Sequence, residues 1–163
     1  MICLITGGAG SVGQDLTAAF LREGHQVRVL DRNAEGLAGL RALSDKNLHL
    51  MQGRLEDAGL VRDAVRGVDT VIHLAWSFSD DPVELLESDL KGHVILLDAS
   101  VAATVSRFFY ASSAVVYGKP AHPPALTSFR HRRGRGRNSW LIGGNCRPRR
   151  PSVFWGIAPC ALP

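Results

Sequence analysis

"LITGGAGSVGQDL", residues 4–16, decides how the rest of the chain is read. An apolar run ends in glycines, and an amphipathic segment begins directly after them. Gly7, Gly10 and Gly13 stand three apart in the turn between the two. A turn this tight needs a residue that tolerates positive φ. It also needs a middle position whose backbone a pyrophosphate can approach, and a last position where helix and strand pack closely. The phosphates of a dinucleotide would then meet backbone N–H groups at the positive end of a helix dipole. The alternative is a glycine-rich turn with no ligand. The strand before the motif and the helix after it favour the dinucleotide.

Outward from the turn, strand and helix patterns alternate as far as residue 118. Residues 2–6 form the first strand. Over 11–23, Val12, Leu16, Ala19 and Phe20 share one face and predict an amphipathic helix. Residues 26–30 and 48–51 read as strands. Helices are expected near 35–43 and over 57–66, the latter with Leu60, Val61, Ala64 and Val65 inward. Residues 70–75 are apolar on both faces, the pattern of a central strand in a parallel sheet. In the long helix that follows, Val83, Leu86, Leu90, Val94, Leu97 and Val101 recur at steps of three or four. A fifth strand is expected at 108–112. Strands separated by helices imply right-handed crossovers and a doubly wound parallel α/β domain, the Rossmann type, over residues 1–118. The expected strand order is 3-2-1-4-5, with the ligand across the carboxyl ends of the strands at the switch point.

Asp31 ends the second strand, 21 residues after Gly10. A carboxylate there accepts hydrogen bonds from an adenosine ribose and repels a 2′-phosphate, which favours NAD over NADP. Arg32 keeps NADP open, because a guanidinium beside the ribose accommodates that phosphate. Asp31 as a plain turn residue after the strand is a further alternative.

Length and composition bound what else the chain can be. The 163 residues suffice for one core, and 45% hydrophobic with 21% charged residues is ordinary for a soluble globular protein. The opening run is too short for a signal-peptide core and no basic segment precedes it. No stretch approaches the roughly 18 apolar residues of a membrane span, so a cytoplasmic chain with no membrane partner is expected. Cys3, Cys146 and Cys160 are odd in number and widely spaced, which indicates no disulfide framework. With His122 and His131 they match no standard zinc spacing, and no metal site is expected.

Four more stretches join the glycine turn in a family resemblance. They are "GRLED" (53–57), "HLAW" (73–76), "DLKGHVILLDA" (89–99) and "YASSAVVYG" (110–118). In combination, residues 1–118 resemble the extended short-chain dehydrogenase/reductases, the NAD-dependent epimerase/dehydratases. The resemblance implies that Gly7, Gly10, Ser11, Val12 and Gly13 line the pyrophosphate of NAD. It puts Leu55 near the adenine, and Leu74 and Ala75 beneath the nicotinamide ribose. Ser113 matches the family serine that hydrogen-bonds the reacting hydroxyl; a serine capping a strand end is the alternative. Tyr117 shapes the substrate pocket or packs as a half-buried tyrosine. The implied function is that of a sugar-nucleotide epimerase, dehydratase or dehydrogenase, with a nucleotide sugar as small-molecule substrate. Hydride would pass between a substrate carbinol and the nicotinamide.

Four departures qualify this. Arg54 stands where the family aspartate would receive the adenine amine, Asp89 replaces the helix asparagine, and Trp76 replaces a small residue near the nicotinamide. The fourth concerns the base. Family chemistry uses a Tyr-x-x-x-Lys, whose cation lowers a tyrosine that otherwise titrates at about 10. The last tyrosine here is Tyr117 and the last lysine Lys119, so no such pair occurs in these 163 residues. On this basis the chain is expected to be truncated and catalytically incomplete. A non-catalytic NAD(P)-binding fragment or sensor domain is the alternative.

Charge divides the chain in the same way. Residues 1–98 hold all 15 acids against 9 basic residues, a net charge of −6; residues 99–163 hold 10 basic residues and no acid, net +10. Residues 119–163 are rich in Pro, Arg and Gly and are expected to be irregular. Three accounts of this tail stand. The first is a nucleic-acid arm, disfavoured because the arginines share no face and no known module appears. The second is a solvated basic extension, and the third is a GC-rich gene read out of frame. Lacking a sixth strand, the sheet would leave an unpaired edge and apolar helix faces exposed, open to self-association.

Overall fold

The computed structural model describes residues 1–112, together with the backbone of two short segments, 141–142 and 152–155. Its elements alternate in the expected order. Strands β1 (Ile2–Thr6), β2 (Gln26–Asp31), β3 (Leu48–Gln52), β4 (Thr70–His73) and β5 (Arg107–Tyr110) pair in parallel in the order 3-2-1-4-5. Helices α1 (Ser11–Arg22), α2 (Ala34–Arg41) and α3 (Ala58–Val65) connect the first four strands. Between β4 and β5 runs one long helical stretch in three parts. It comprises α4 (Pro82–Glu84), a π-helical segment (Leu85–Lys91) and α5 (Gly92–Ala102).

Side chains of β1 alternate across the sheet, as the period of a strand requires. Cys3 and Ile5 join Leu21, Val27, Val29, Leu37 and Leu40 on one face. Leu4 joins Leu30, Val61, Val71, Leu96 and Phe108 on the other. Covered on both faces, β1 and β4 are almost wholly buried, which explains their near-continuous apolar sequence.

Two of the expected faces turn out differently. In α1 the buried line is Gly13, Thr17 and Leu21, while Val12 is exposed. Gly13 must abut the backbone of Gly7 and Gly8, and that contact fixes the rotation of the helix. In the long helical stretch, Val83, Leu86, Leu90, Val94 and Val101 point to solvent. The buried face is instead Asp89, Gly92, Leu96, Ala99 and Ser100. A Cβ on Gly92 would lie 2.7 Å from the Leu55 Cβ, so only a glycine-bearing face can approach there.

Beyond β5 the sheet continues. Strand β6 (Leu141–Ile142) pairs with β7 (Ser152–Trp155), and β7 pairs in parallel with β5. The expected bare edge at β5 is thus corrected: Arg107 and Phe108 have backbone partners in β7. Most of the basic tail, with Ser113 and Tyr117, lies outside the described residues.

Candidate functional site

The glycine turn closes the carboxyl end of β1. Gly7 takes a φ of +71° and donates its N–H to the Leu30 carbonyl at 3.0 Å. A Cβ on Gly7 would lie 2.6 Å from the Ala75 nitrogen, and one on Gly13 would lie 2.4 Å from the Gly7 carbonyl oxygen. Both obstacles are backbone, so neither position admits a side chain. Gly10 differs, because a Cβ there would make an ordinary 3.4 Å contact with Gly7. Packing within the chain does not require glycine there.

Gly10 caps α1 with no side-chain hydrogen bond, and the first turn carries no acid. The N–H groups of Ser11, Val12 and Gly13 precede the first intrahelical bond, from Gln14 to the Gly10 carbonyl at 2.9 Å. Such an end presents positive potential to an anion. These features fit the diphosphate of a dinucleotide: a turn no side chain can fill and an open glycine lead to a helix end without a counter-charge.

A cleft extends from Gly7 and Gly10 across the ends of β2, β3 and β4. Its lining includes Asp31, Arg32, Leu55, Leu74 and Ala75. Ser11, Val12 and Gly13 form the adjoining first turn of α1 and do not line the cleft. Asp31 clasps the turn. One carboxylate oxygen accepts from Ala9 N–H at 2.8 Å and the other from Asn33 N–H at 2.9 Å. Each oxygen keeps a second lone pair, so the turn role leaves Asp31 able to accept from a further donor. Arg32 turns to Glu84 at 2.6 Å, and Arg54 faces Glu56 at 3.5 Å.

The opposite wall is a strap from Trp76 to Asp81 leading into α4. Asp89, buried in the π-helical segment, holds it: its carboxylate accepts from Ser77 N–H at 2.9 Å and from Ser77 Oγ at 2.7 Å. Ser88 Oγ donates to Glu56 at 2.8 Å, tying the same helix to the β3 loop. Phe78 sits on the strap at φ +54°, a strained value for a side-chain-bearing residue, and is 89% exposed. Ser77, Phe78 and Ser88 line the cleft without having been expected. No motif marks them: Ser77 and Ser88 are ordinary residues held by distant carboxylates, and Phe78 is an exposed residue of the strap.

Beneath the strap, His73 is buried at the end of β4 with Nδ1 2.6 Å from Thr6 Oγ1. Its ring stacks on His93 at 5.0 Å and lies 5.4 Å from Tyr110. Burial, with His93 beside it, pushes His73 down to about 3, so the ring is neutral in the folded chain at neutral pH. Among the described residues no cluster of His, Cys, Asp or Glu could hold a metal ion, and no helix is long and apolar enough to cross a membrane.

With this geometry established, comparison with known proteins is specific. The model of the NAD dependent epimerase/dehydratase family matches residues 3–134. The chain belongs to this family. UDP-glucose 4-epimerase of Yersinia enterocolitica is 31% identical over 135 residues, 76% of this chain and 40% of that protein. An uncharacterized protein, y4nG, of Sinorhizobium fredii is 36% identical over 127 residues, 74% of this chain and 30% of that protein. Among solved structures, a short-chain dehydrogenase/reductase superfamily protein from Agrobacterium tumefaciens with bound NAD superposes with TM-score 0.64 at 34% identity. That match covers 76% of this chain and 37% of the other. UDP-glucose 4-epimerase from Bifidobacterium longum, in complex with NAD+ and UDP, gives TM-score 0.67 at 26% identity, covering 77% and 41%. The chain thus spans 30% to 40% of the length of these two curated relatives. The family match runs past Gly118, where the motifs visible in the sequence stop.

Proposed function

We propose that the cleft holds NAD and that the chain serves hydride transfer between a carbinol of a nucleotide sugar and the nicotinamide. The observation that carries this reading is the glycine turn, whose tight Gly7 and Gly13 and open Gly10 lead into the uncapped end of α1. The bound nicotinamide would supply the hydride acceptor. Asp31 would accept from the adenosine ribose, Leu55 would pack near the adenine, and Leu74 and Ala75 would floor the far end. Ser113 would orient the substrate hydroxyl. Relatives that carry NAD together with UDP support a nucleotide-sugar substrate.

A second reading, an NAD(P)-binding fragment or sensor without turnover, is favoured by one observation. The 163 residues contain no Tyr-x-x-x-Lys. Calorimetric titration with NAD and NADP, followed by turnover assays with UDP-sugars, separates the two. Binding with turnover supports the enzyme, and binding without turnover supports the fragment. No binding of either nucleotide defeats both.

A further inference from the structure

Resting on the dinucleotide reading, we infer that Glu84 is a specificity-determining residue: it holds Arg32 away from the position of a ribose 2′-phosphate and so excludes NADP. Arg32 and Arg54 are the two cations among the described residues lining the cleft. A 2′-phosphate, carrying a charge of about −2, would need at least one of them. Neither stands ready. Arg32 Nη1 donates to Glu84 Oε1 at 2.6 Å, and Arg54 Nη1 lies 3.5 Å from Glu56 Oε1.

The two ion pairs are unequal in consequence. Glu56 neighbours Arg54 in sequence and is also engaged by Ser88, so it belongs to the β3 loop whatever the ligand. Glu84 comes from across the cleft, 52 residues from Arg32, and only the folded strap brings it there. The Arg32 guanidinium keeps the Glu84 carboxyl below the usual carboxylate range, with the Ser79 hydroxyl acting in the same direction. Glu84 is therefore ionised at neutral pH and adds its own repulsion to that of Asp31. Both side chains remain accessible, 41% and 34% exposed, so the pair contributes little to stability and its removal leaves the fold intact. The sequence alone leaves Arg32 pointing to either cofactor. The partner that settles its role is a glutamate no sequence motif connects to it.

The test is calorimetric titration of the full chain with NAD and with NADP, for wild type, Glu84→Gln, Glu84→Ala and the double variant Arg32→Ala/Glu84→Gln. Wild type should prefer NAD. Glu84→Gln and Glu84→Ala should each shift the NAD-to-NADP affinity ratio toward NADP by about tenfold, the scale of one charge acting on a nearby dianion through water. The double variant should lose that gain, because the released guanidinium is what binds the phosphate. Wild-type preference for NADP would overturn the inference. So would an unchanged ratio in both Glu84 variants, or a gain that survives removal of Arg32. If wild type binds neither nucleotide, the dinucleotide reading itself falls and this inference with it. If wild type binds NAD and the Glu84 variants leave the ratio alone, only the inference falls.

Discussion

The glycine turn and the strap face each other across one cleft, yet they are held in place by different physics. At the turn the constraints are backbone against backbone: Gly7 against Ala75, Gly13 against Gly7 and Gly8. Nothing there can rotate away. At the strap the main tether is a side chain, Asp89 accepting from Ser77, and the helical stretch behind it is tied by Ser88 to Glu56 and by Glu84 to Arg32. The turn has one shape; the strap keeps its shape through the Asp89 tether to Ser77. The cleft thus has one wall fixed by backbone contacts and one held by side-chain hydrogen bonds.

The largest expected effect tests the wall fixed by backbone contacts. Gly13→Ala puts a Cβ 2.4 Å from a carbonyl oxygen and 2.5 Å from the Gly8 Cα, so helix and strand must separate. We expect a loss of about 3 kcal/mol in chemical denaturation, together with loss of nucleotide binding. A loss below about 1 kcal/mol would show that the turn yields like the strap. The next tests the wall held by side chains. Asp89→Ala leaves Ser77 N–H and Oγ without their acceptor, at a cost of about 2 kcal/mol. Asp89→Asn, which keeps an acceptor oxygen, should recover most of it. Equal losses for the two variants would mean that packing around residue 89, rather than the tether to Ser77, holds the strap.

This contrast also explains what was legible in the sequence. The turn was readable because steric necessity leaves only glycine at its key positions, and a strand and a helix must flank it. The five strands were readable from apolar runs, and their order from the doubly wound fold that strands alternating with helices imply. Asp31 drew notice from its place at the end of β2, whereas Leu55, Leu74 and Ala75 were indicated only by the family resemblance; all four line the cleft. The strap was not readable. Its contacts join Ser77 to Asp89, Ser88 to Glu56 and Arg32 to Glu84, pairs of common residues 12, 32 and 52 positions apart. Asp89 stood out only as a departure from the family pattern, without a partner. The long helical stretch misled in another way. Val83, Leu86, Leu90, Val94 and Val101 have helical spacing, but Gly92, Leu96, Ala99 and Ser100 do as well. Periodicity identifies a face without saying which way it turns; the close approach of Gly92 to Leu55 decides that.

A pH slope, read across a range rather than as a single loss, probes the buried end of β4 next to the cleft. His73 is held well below its ordinary 6.5, at about 3, because burial penalises its charged form and His93 stacks beside it. A histidine whose folded value is depressed contributes stability that is full above the unfolded value and is lost as pH falls toward the folded one. Between pH 6.5 and pH 3 the unfolded chain therefore binds a proton that the folded chain refuses. Stability should fall by about 1.4 kcal/mol per pH unit below that upper value. His93, also lowered by burial, acts in the same direction. Urea unfolding from pH 7 to pH 4 measures the slope, and His73→Asn should flatten it. A slope unchanged in His73→Asn would assign the acid sensitivity to His93 or to the carboxylates, leaving the end of β4 neutral to the comparison.

The smallest expected effect concerns the outer side of the strap's own helix, and it is informative because it is small. Leu86 and Leu90 are each 59% exposed, whereas Leu96, six residues beyond Leu90, is fully buried. Leu86→Ser and Leu90→Ser should therefore change unfolding free energy by no more than about 0.5 kcal/mol, as exposed substitutions do. A buried leucine at the same spacing would cost about 2–5 kcal/mol on truncation. The two scales do not overlap, so one denaturation curve per variant decides which face of the helix is inward. A cost in the higher range would return the apolar stripe to the core. It would also rotate Asp89 away from Ser77 and so remove the tether on which the strap depends.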